Sequence, residues 1–565
     1  MQLLKGHVGG HRLAVPDQRA KAEGLLRIAA HGGRLAAQAA RRNSARMCCA
    51  IVTVAGRKKT GLAHPPPDVR AWRLAPPDPM TRTKATLAAT AALVLWVSAG
   101  CVAPKAPTAV APAQGGRDWT WVQGAVFVPT NCVNEAQQWD QYDPAVNDRE
   151  LHYASVYGVN VVRVYLHYYV YLKKRDALLS DIADFLARAD RYGIRTEFVF
   201  FDDCWNQPPA QLLSADYRYP APLPGVHNSR WLVCPGDDVR SHYGEHRDRL
   251  KAYVQDIVRA HRDDPRVAFW EIYNEPSKGD ATVRLERDAA AWIRETGTSI
   301  PMTATGGDFS GGPFSDFPSW HEYGAYALLG GARTLCTECM NRQGQSVPGI
   351  VGHFRGKVGY IMWEIGIGRD NCRFAWSENR DKPRPDETPE PFHGIVYPDG
   401  HPWSLDDARA LLGRDGFERA RFFAVQYYAD DAFARPLKSS VTPMIDFDLA
   451  DEEGAGSPDA SAGVPRSHFS ERFAGSLLTP ADGVYTFSVD TDGLAELWVD
   501  GRPAVSKAVQ GREVAVGTAR LQGGRTHKVE VRYAHAAGAA SLHVRWSGPG
   551  FAERVLEPAA HPEGF

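Results

Sequence analysis

The chain has 565 residues, which is too long for one ordinary domain and indicates two or three folding units. Its net charge of −1 argues against the basic surface that a nucleic-acid partner needs, so we expect no nucleic acid among its ligands. Its nine cysteines are too few for a disulfide scaffold. Cys336 and Cys339 lack the second pair or the histidines of a zinc site, so we interpret them as strand residues or a local redox pair and expect no metal.

The amino-terminal part differs in composition from the rest. Residues 1–79 are rich in Ala and Arg without apolar periodicity, which indicates a non-native or disordered extension ahead of a true start at Met80. Residues 80–101 follow the pattern of an export signal: basic residues, an apolar run over 85–97, then small residues. The apolar run is too short for a permanent transmembrane helix.

The end of this signal, Ser98-Ala99-Gly100-Cys101, resembles a bacterial lipobox. The resemblance implies a lipid on Cys101 and a lipoprotein at the outer membrane or cell surface. Ordinary cleavage after Ala99 would instead give a periplasmic or secreted protein. A lipid anchor at Cys101 is the one membrane contact that we expect. Residues 102–118, rich in Ala and Pro, are typical of an extended linker.

From Trp119 onward, short apolar runs alternate with amphipathic stretches, a pattern typical of βα units around a parallel sheet. One of these apolar runs, the fourth in chain order, begins at Val267. It ends before Pro276, which has no N–H for a strand ladder. The other expected strands are 122–128, 159–165, 196–201, 301–305, 318–323, 333–338 and 358–363. Eight strands with mostly helical crossovers predict an α/β fold, a (β/α)8 TIM barrel over residues 119–436.

Two glutamates fall at the carboxyl ends of these strands. Glu275 follows strand four, beside Asn274, and Glu338 ends strand seven. Strands four and seven of such a barrel face each other across its mouth. Two carboxyl groups across a cleft are the minimum equipment for cleaving a glycosidic bond, since one protonates the leaving oxygen and the other attacks or stabilises the anomeric carbon.

Asn274-Glu275-Pro276, with the second glutamate on strand seven, resembles the retaining clan A glycoside hydrolases, closest to the cellulase-like enzymes of family 5, over residues 119–428. The resemblance implies Glu275 as the acid/base and Glu338 as the nucleophile. It also implies substrate-binding or positioning roles for the residues that match the family at other strand ends: Arg163, Asn274, His321, Tyr323 and Trp363.

The residue types suit these roles. We expect Arg163 to keep Glu338 ionised and Tyr323 to orient it by a hydrogen bond. Glu275 needs a raised pKa, and the negative charge of Glu338 should supply part of that rise.

The remaining residues suit contacts with sugar. Asn274 can bond the 2-hydroxyl, His321 can position the acid/base or bind a hydroxyl, and Trp363 offers an apolar face to a pyranose. Other aromatic residues read either as platforms or as packing: Trp205, Trp231 and Trp376. The stretch 392–400 is expected to close over the strand-eight side of the cleft.

Glu364 is a rival for the nucleophile, because it follows Trp363 in a strand-like stretch. If Glu364 were the nucleophile, the eighth strand would lie further on, and the charged, Pro-rich segment 369–391 offers none. Topology therefore favours Glu338. Glu271 and Glu322 lie off the inward-facing set, so we expect them to point into the helix layer or a loop.

Residues 437–565 form a third region, in which 451–467 reads as a linker or long loop. Short alternating runs with Asp-Gly turns predict an all-β sandwich: 483–489, 495–499, 528–533 and 541–546. The region resembles the protective-antigen-type domain. The resemblance implies carbohydrate binding, with a purely structural appendage as the alternative. Calcium is not expected, since Asp490 and Asp492 are not adjacent.

These observations predict an exported, retaining β-glycoside hydrolase that acts on a β-linked polysaccharide or oligosaccharide without a metal or organic cofactor. Two alternatives stay open: a non-catalytic carbohydrate-binding surface protein, and a transglycosylase on the same scaffold.

Overall fold

The structure, a computed structural model, describes residues 118–277, 279–305, 314–376, 390–450 and 456–565. The extension over 1–79, the export signal with Cys101 and the linker up to residue 117 lie outside the described residues. Across the described ranges, no helix is both long and apolar enough to cross a bilayer.

A parallel eight-stranded barrel-like sheet forms the first part of this structure, in the order β5-β4-β3-β2-β1-β8-β7-β6. The predicted strands are all present, with ends that differ by a few residues. They are β1 (Gln123–Val126), β2 (Val161–Tyr165), β3 (Arg195–Asp202), β4 (Val267–Asn274), β5 (Met302–Thr305), β6 (Ser319–Glu322), β7 (Leu335–Cys339) and β8 (Gly359–Met362).

Helices surround this sheet. In the described ranges they are α1 (Glu135–Asp140), α2 (Pro144–Val156), α3 (Tyr168–Arg191), α4 (Asp237–Ser241), α5 (Tyr243–Ala260), α6 (Asp280–Glu295), α7 (Val347–Phe354), α8 (Leu405–Leu412) and α9 (Arg414–Arg419). The apolar stripe of α3, with Ile182, Phe185 and Leu186, is fully buried against the sheet. Gly193 follows α3 with a φ of +71°, the left-handed conformation that ends a helix most readily at glycine.

Side chains rather than a strand ladder join the two ends of the sheet. The hydroxyl of Ser319 on β6 lies 2.8 Å from that of Thr303 and 2.9 Å from that of Thr305, both on β5. Thr303 also donates to the Phe317 carbonyl at 3.0 Å. These buried hydroxyls close the barrel at this seam.

Two antiparallel sheets follow the barrel and pack face to face around an apolar core. One has the order β10-β9-β12-β17-β14-β15, and the other β11-β18-β13-β16, with β19 paired to β18. The strands are β9 (Phe423–Tyr428), β10 (Pro436–Thr442), β11 (Asp446–Asp448), β12 (Phe469–Leu478), β13 (Gly483–Thr491), β14 (Leu494–Val499), β15 (Arg502–Lys507), β16 (Glu513–Leu521), β17 (Thr526–His535), β18 (Ser541–Gly548) and β19 (Phe551–Val555).

The sandwich begins at Phe423, earlier than the boundary at 436/437 expected from sequence. Strand β9 pairs with β12 and β10, and its Phe423, Val425 and Tyr427 are buried in the sandwich core. The alternating pattern of β9 is that of a half-buried antiparallel strand, which the sequence interpretation had left at the end of the barrel.

Polar contacts connect barrel and sandwich. Arg149 on α2 lies 3.3 Å from Asp448 on β11, and Tyr153 donates to the Asp446 carbonyl at 3.0 Å. His543 on β18 lies 3.1 Å from Asp448 through its Nε2, so this imidazole belongs to the same junction.

The six cysteines within the described ranges are all free. Cys336 and Cys339 are buried residues of β7, which fits the interpretation of the pair as strand residues.

Candidate active site

A cavity of about 460 Å³ opens at the carboxyl ends of the barrel strands. It brings together four of the predicted site residues: Asn274, Glu275, Tyr323 and Glu338, with Trp363 as a fifth on one wall. The other lining residues are Asp202, Asp203, Cys204, Trp205, His227, Asn228, Trp231, Trp376 and His393.

Glu275 stands directly beyond β4 with its side chain half exposed to the cavity. Its φ of +43° lies in the left-handed region that non-glycine residues rarely adopt. The Glu275 N–H donates to the Thr305 carbonyl at 3.0 Å, which ties this turn to the end of β5. Strained backbone of this kind concentrates at functional sites.

Glu338, on β7, is held by three donors. Arg163 Nη1 donates to Oε1 at 2.7 Å, and the Tyr165 hydroxyl donates to the same oxygen at 3.0 Å. The Tyr323 hydroxyl donates to Oε2 at 2.8 Å. The carboxylate is 4% exposed, so its orientation is fixed while one edge still meets the cavity.

His321 lies between the two glutamates. Its Nδ1 is 2.6 Å from Glu275 Oε1 and 3.3 Å from Glu338 Oε2. One oxygen of each glutamate and this nitrogen all lie within 4.8 Å of one another. His321 was expected to position the acid/base, and the geometry gives it contact with both carboxylates.

The pKa of Glu275 runs opposite to the expectation. Partial removal from water would raise it, but the hydrogen bond and charge of His321 outweigh that effect and lower the pKa to about 2. Burial would lower the pKa of His321, yet Glu338 and Glu275 together raise it. The prediction that Glu338 raises the pKa of Glu275 was wrong, because the positive charge of the His321 imidazole lies between the two carboxylates.

Arg163 is fully buried beneath the site and is shared among acidic partners. It donates to Glu271 twice, Nε to Oε2 at 2.8 Å and Nη2 to Oε1 at 2.9 Å, besides its bond to Glu338. The expectation that Glu271 points outward was wrong. A register shift between Glu271 and Asn274 breaks the pleat alternation on which it rested.

A third carboxyl group adjoins this pair. Glu197 Oε1 lies 3.4 Å from Arg163 Nε. Burial, with the charge of Glu271, raises the pKa of Glu197 well above its usual range. Glu197 is therefore neutral, and the arginine balances the charges of Glu271 and Glu338.

Asn274 is oriented from both ends of its amide. Its Oδ1 accepts from Arg163 at 2.8 Å, and its Nδ2 donates to Asp202 at 3.0 Å. Burial raises the pKa of Asp202 to about 7, against hydrogen bonds from Asn274 and Trp231. The Cys204 thiol donates to Glu275 Oε2 at 3.1 Å, so a second donor besides His321 holds the Glu275 carboxylate.

Aromatic side chains form the opposite wall. Trp363 is 6% exposed, donates its Nε1–H to the Cys372 sulfur at 3.0 Å and lines the cavity. Trp376 is 49% exposed and stands edge-on to Tyr323 at 5.1 Å. The three tryptophans whose role was open, Trp205, Trp231 and Trp376, all line the cavity.

Glu364 lies outside the cavity lining, 1% exposed behind Trp363. Burial, followed by the charge of Asp370, raises its pKa well above the usual range. Glu322 accepts three backbone N–H groups of the loop at 324–327, as its expected loop position implies.

Two groups in the described ranges have the side chains to hold a metal ion: Glu275 with His321 and Glu338, and Glu364 with Asp370 and Cys372. In the first group the His321 imidazole already hydrogen-bonds Glu275 and lies 3.3 Å from Glu338. The expectation of a cofactor-free site stays a prediction.

Tyr165 and Cys204 received no role in the sequence interpretation, and His393 was covered only by the expectation that 392–400 closes over the cleft, where it does line the cavity. Tyr165 could have been found, because it stands two residues after Arg163 and so on the same face of β2. Cys204 and His393 are loop residues, and loop positions follow from no strand period. Cys204 was signalled only by its place two residues after the end of β3.

Comparison with known proteins identifies the carboxy-terminal region. The sequence profile of the PA14 domain matches residues 424–558. A search of curated proteins found no match.

Among solved structures, similarity extends to a GH5_18 protein from Streptomyces cattleya in complex with Manβ1-4GlcNAc, with 12% identity, 52% of this chain and 80% of that chain covered, and a TM-score of 0.35. The PA14 sugar-binding domain of an RTX adhesin shares 20% identity over 24% of this chain and 94% of its own, with a TM-score of 0.19.

An anti-sigma factor domain-containing protein from Clostridium clariflavum shares 17% identity over 25% of this chain, with a TM-score of 0.23. The match spans less than half, 46%, of that protein's own length. TM-scores this low assign no activity. The chain thus carries a PA14 domain in its carboxy-terminal region, after a parallel eight-stranded barrel.

Proposed function

We propose that the barrel is a retaining β-glycoside hydrolase that cleaves a β-linked polysaccharide or oligosaccharide. The approach of a Glu275 oxygen and a Glu338 oxygen to within 4.8 Å of each other carries this proposal. Retaining glycosidases hold their carboxyl groups about 5–5.5 Å apart, whereas inverting enzymes leave a wider gap for water. The spacing suits double displacement.

In this mechanism Glu338 attacks the anomeric carbon while the leaving-group oxygen takes a proton from Glu275. Arg163, Tyr165 and Tyr323 fix the attacking carboxylate. Water then attacks the same carbon of the glycosyl ester, gives its proton to Glu275 and releases Glu338.

His321 supplies the proton for the first step. In the free protein Glu275 is ionised and the proton sits on the imidazole, whose pKa is raised in part by the charge of Glu338. As the positive charge that develops on the sugar neutralises Glu338, the imidazole becomes more acidic. The proton then passes across the 2.6 Å hydrogen bond to Glu275 and on to the leaving oxygen. The proton that Glu275 later takes from water returns to His321 along the same bond, which restores the starting state.

A non-catalytic carbohydrate-binding protein is the second candidate, and the low pKa of Glu275 favours it. An ionised Glu275 accepts hydrogen bonds from sugar hydroxyls, and it protonates no leaving group unless His321 first supplies the proton. A carbohydrate-binding role for the PA14 domain accords with either candidate, as does export with a lipid on Cys101.

The test is a product screen of the protein from Trp119 onward on β-linked polysaccharides and aryl β-glycosides, with anomeric configuration followed by proton NMR. If a substrate is cleaved with retention and Glu275→Gln slows this cleavage strongly, the hydrolase is supported. Inversion contradicts it. If no substrate is cut and Glu275→Gln keeps the affinity for a bound glycan, the binding protein is supported. Products that lengthen when an acceptor sugar is added indicate transglycosylation.

A further inference from the structure

The aromatic wall of the cavity contains a buried histidine that the mechanism above does not use. His393 is 1% exposed, and its ring centroid lies 4.5 Å from that of Phe392, 5.9 Å from Trp376 and 6.3 Å from Trp363. His393 Nδ1 is 2.6 Å from the carbonyl oxygen of Met340. Since a carbonyl oxygen only accepts, Nδ1 carries a hydrogen.

The second ring nitrogen is left as an acceptor. Burial, with the charge of His227, lowers the pKa of His393 well below its usual range, so the imidazole is neutral. With the hydrogen on Nδ1, Nε2 has a lone pair. Among the described residues none bonds to Nε2, and this edge of the ring is open to the cavity.

The neighbouring polar groups are already engaged. Asp202 accepts from Trp231 at 2.8 Å and from Asn274 at 3.0 Å, and the Cys204 thiol donates to Glu275. The described residues of the lining include carboxylates but neither lysine nor arginine. A hydroxyl donor therefore finds a neutral acceptor here, whereas a sugar carboxylate would meet the carboxylates Glu275 and Glu338 among the described lining residues.

We propose that His393 Nε2 accepts a hydrogen bond from a sugar hydroxyl, and that the cavity thereby takes a neutral hydroxylated sugar rather than a uronic acid against Trp363 and Trp376. This inference rests on the proposed function, because it names the substrate class of the same cavity. His393 is in this role a specificity-determining residue.

Substitution of His393 tests the inference. His393→Phe keeps a flat ring and removes the acceptor, while His393→Gln keeps an acceptor oxygen. With the best neutral 4-nitrophenyl β-glycoside, we expect His393→Phe to lower kcat/KM about tenfold, mainly through KM, and His393→Gln to recover part of the loss.

A matched control exists on α7. His353 also has its Nδ1 against a backbone carbonyl, that of Gly349 at 2.7 Å, but it is exposed and lies outside the cavity lining. His353→Phe should leave kcat/KM unchanged. Thermal melting of each variant shows whether it is folded.

Monodeoxy versions of the same glycoside separate recognition from packing. Removal of the hydroxyl that donates to His393 Nε2 should lower kcat/KM about tenfold for the wild type. It should lower kcat/KM little for His393→Phe, since the variant has already lost that bond. A purely structural role of His393 would produce equal losses in both proteins.

Equal kcat/KM for the wild type and a folded His393→Phe overturns the inference, as does a preference for 4-nitrophenyl β-glucuronide. If no glycoside is cut, the proposed function fails, and titration of tryptophan fluorescence with cellobiose, mannobiose and xylobiose tests the inference alone. Weaker binding by His393→Phe then supports it. Equal binding, or none by the wild type, overturns it.

Discussion

The two candidate nucleophiles differ in their hydrogen-bond partners and in their access to the cavity. Glu338 accepts hydrogen bonds from three residues and meets the cavity, whereas Glu364 is buried behind Trp363 with a pKa raised well above the usual range. A neutral, buried carboxyl group attacks no sugar. These observations favour Glu338 over Glu364, and the role of Glu338 as the nucleophile stays a prediction.

Substitution of each glutamate should show this difference. On a substrate that the wild type cuts, Glu338→Ala should lower kcat by at least about a thousandfold, because a reacting group is lost. Glu364→Gln replaces a neutral carboxyl group by a neutral amide, and kcat should stay within about threefold. The reverse result, with Glu338→Ala active, would move the nucleophile away from β7.

The buried Arg163–Glu271 pair makes a prediction about stability. Glu271→Gln removes the carboxylate that accepts two hydrogen bonds from Arg163. We expect the free energy of unfolding to fall by about 3 kcal/mol. Urea unfolding followed by tryptophan fluorescence measures this change.

The control for this prediction is Glu295→Gln, since Glu295 pairs with Lys251 at the surface at 2.6 Å and should give an unchanged midpoint. An unchanged midpoint in Glu271→Gln would show that Glu338 alone balances the arginine.

At the residue scale, strand topology predicted the site better than side-chain direction did. Arg163, Glu275 and Glu338 meet as expected because strand ends of a parallel barrel converge. The prediction that the Glu271 side chain points outward was wrong, since pleat alternation fails where β4 shifts register against β5. The inversion of the Glu275 pKa depends on where the His321 ring lies, which no sequence pattern contains.

At the scale of elements, the seam between β5 and β6 makes its own prediction. Ser319→Ala leaves the buried hydroxyls of Thr303 and Thr305 without their shared partner, so the free energy of unfolding should fall by about 1–2 kcal/mol. Chemical denaturation measures it. Ser299→Ala, at an exposed hydroxyl that bonds Asp263 ahead of the seam, is the matched control and should change stability much less. Equal losses of unfolding free energy in Ser319→Ala and Ser299→Ala would mean that the buried seam hydroxyls stabilise the fold no more than an exposed hydroxyl does.

The strands of the two regions were not equally predictable. The barrel strands are buried on both faces and stand out as continuous apolar runs, which is why all eight were found. In the sandwich, β16 is exposed along most of its length and β9 was left with the barrel, because edge and half-buried strands carry a weaker apolar signal.

At the scale of the molecule, the stability of the junction between barrel and sandwich should depend on pH. Burial would lower the pKa of His543, but its bonds to Asp446 and Asp448 raise it to about 9. Because this pKa is higher in the folded than in the unfolded state, protonated His543 stabilises the folded state. The stabilisation is complete below the unfolded-state pKa of about 6.5 and is lost as the pH rises through 9. The loss should amount to about 3 kcal/mol for this buried imidazole.

Melting temperatures at pH 6 and pH 9.5 measure this effect, with a higher value expected at pH 6. His543→Gln should remove most of the difference, while the exposed His353→Gln should keep it. A difference that persists in His543→Gln would place the pH dependence elsewhere in the molecule.

The left-handed backbone of Glu275 sets stability against activity. A glutamate at a φ of +43° is strained by roughly 1 kcal/mol, and asparagine or glycine would occupy that conformation more readily. Selection for heat resistance alone would therefore favour replacement of the one residue that we assign as the acid/base. Retention of glutamate at this position under such selection would show that function, and not the fold, maintains it.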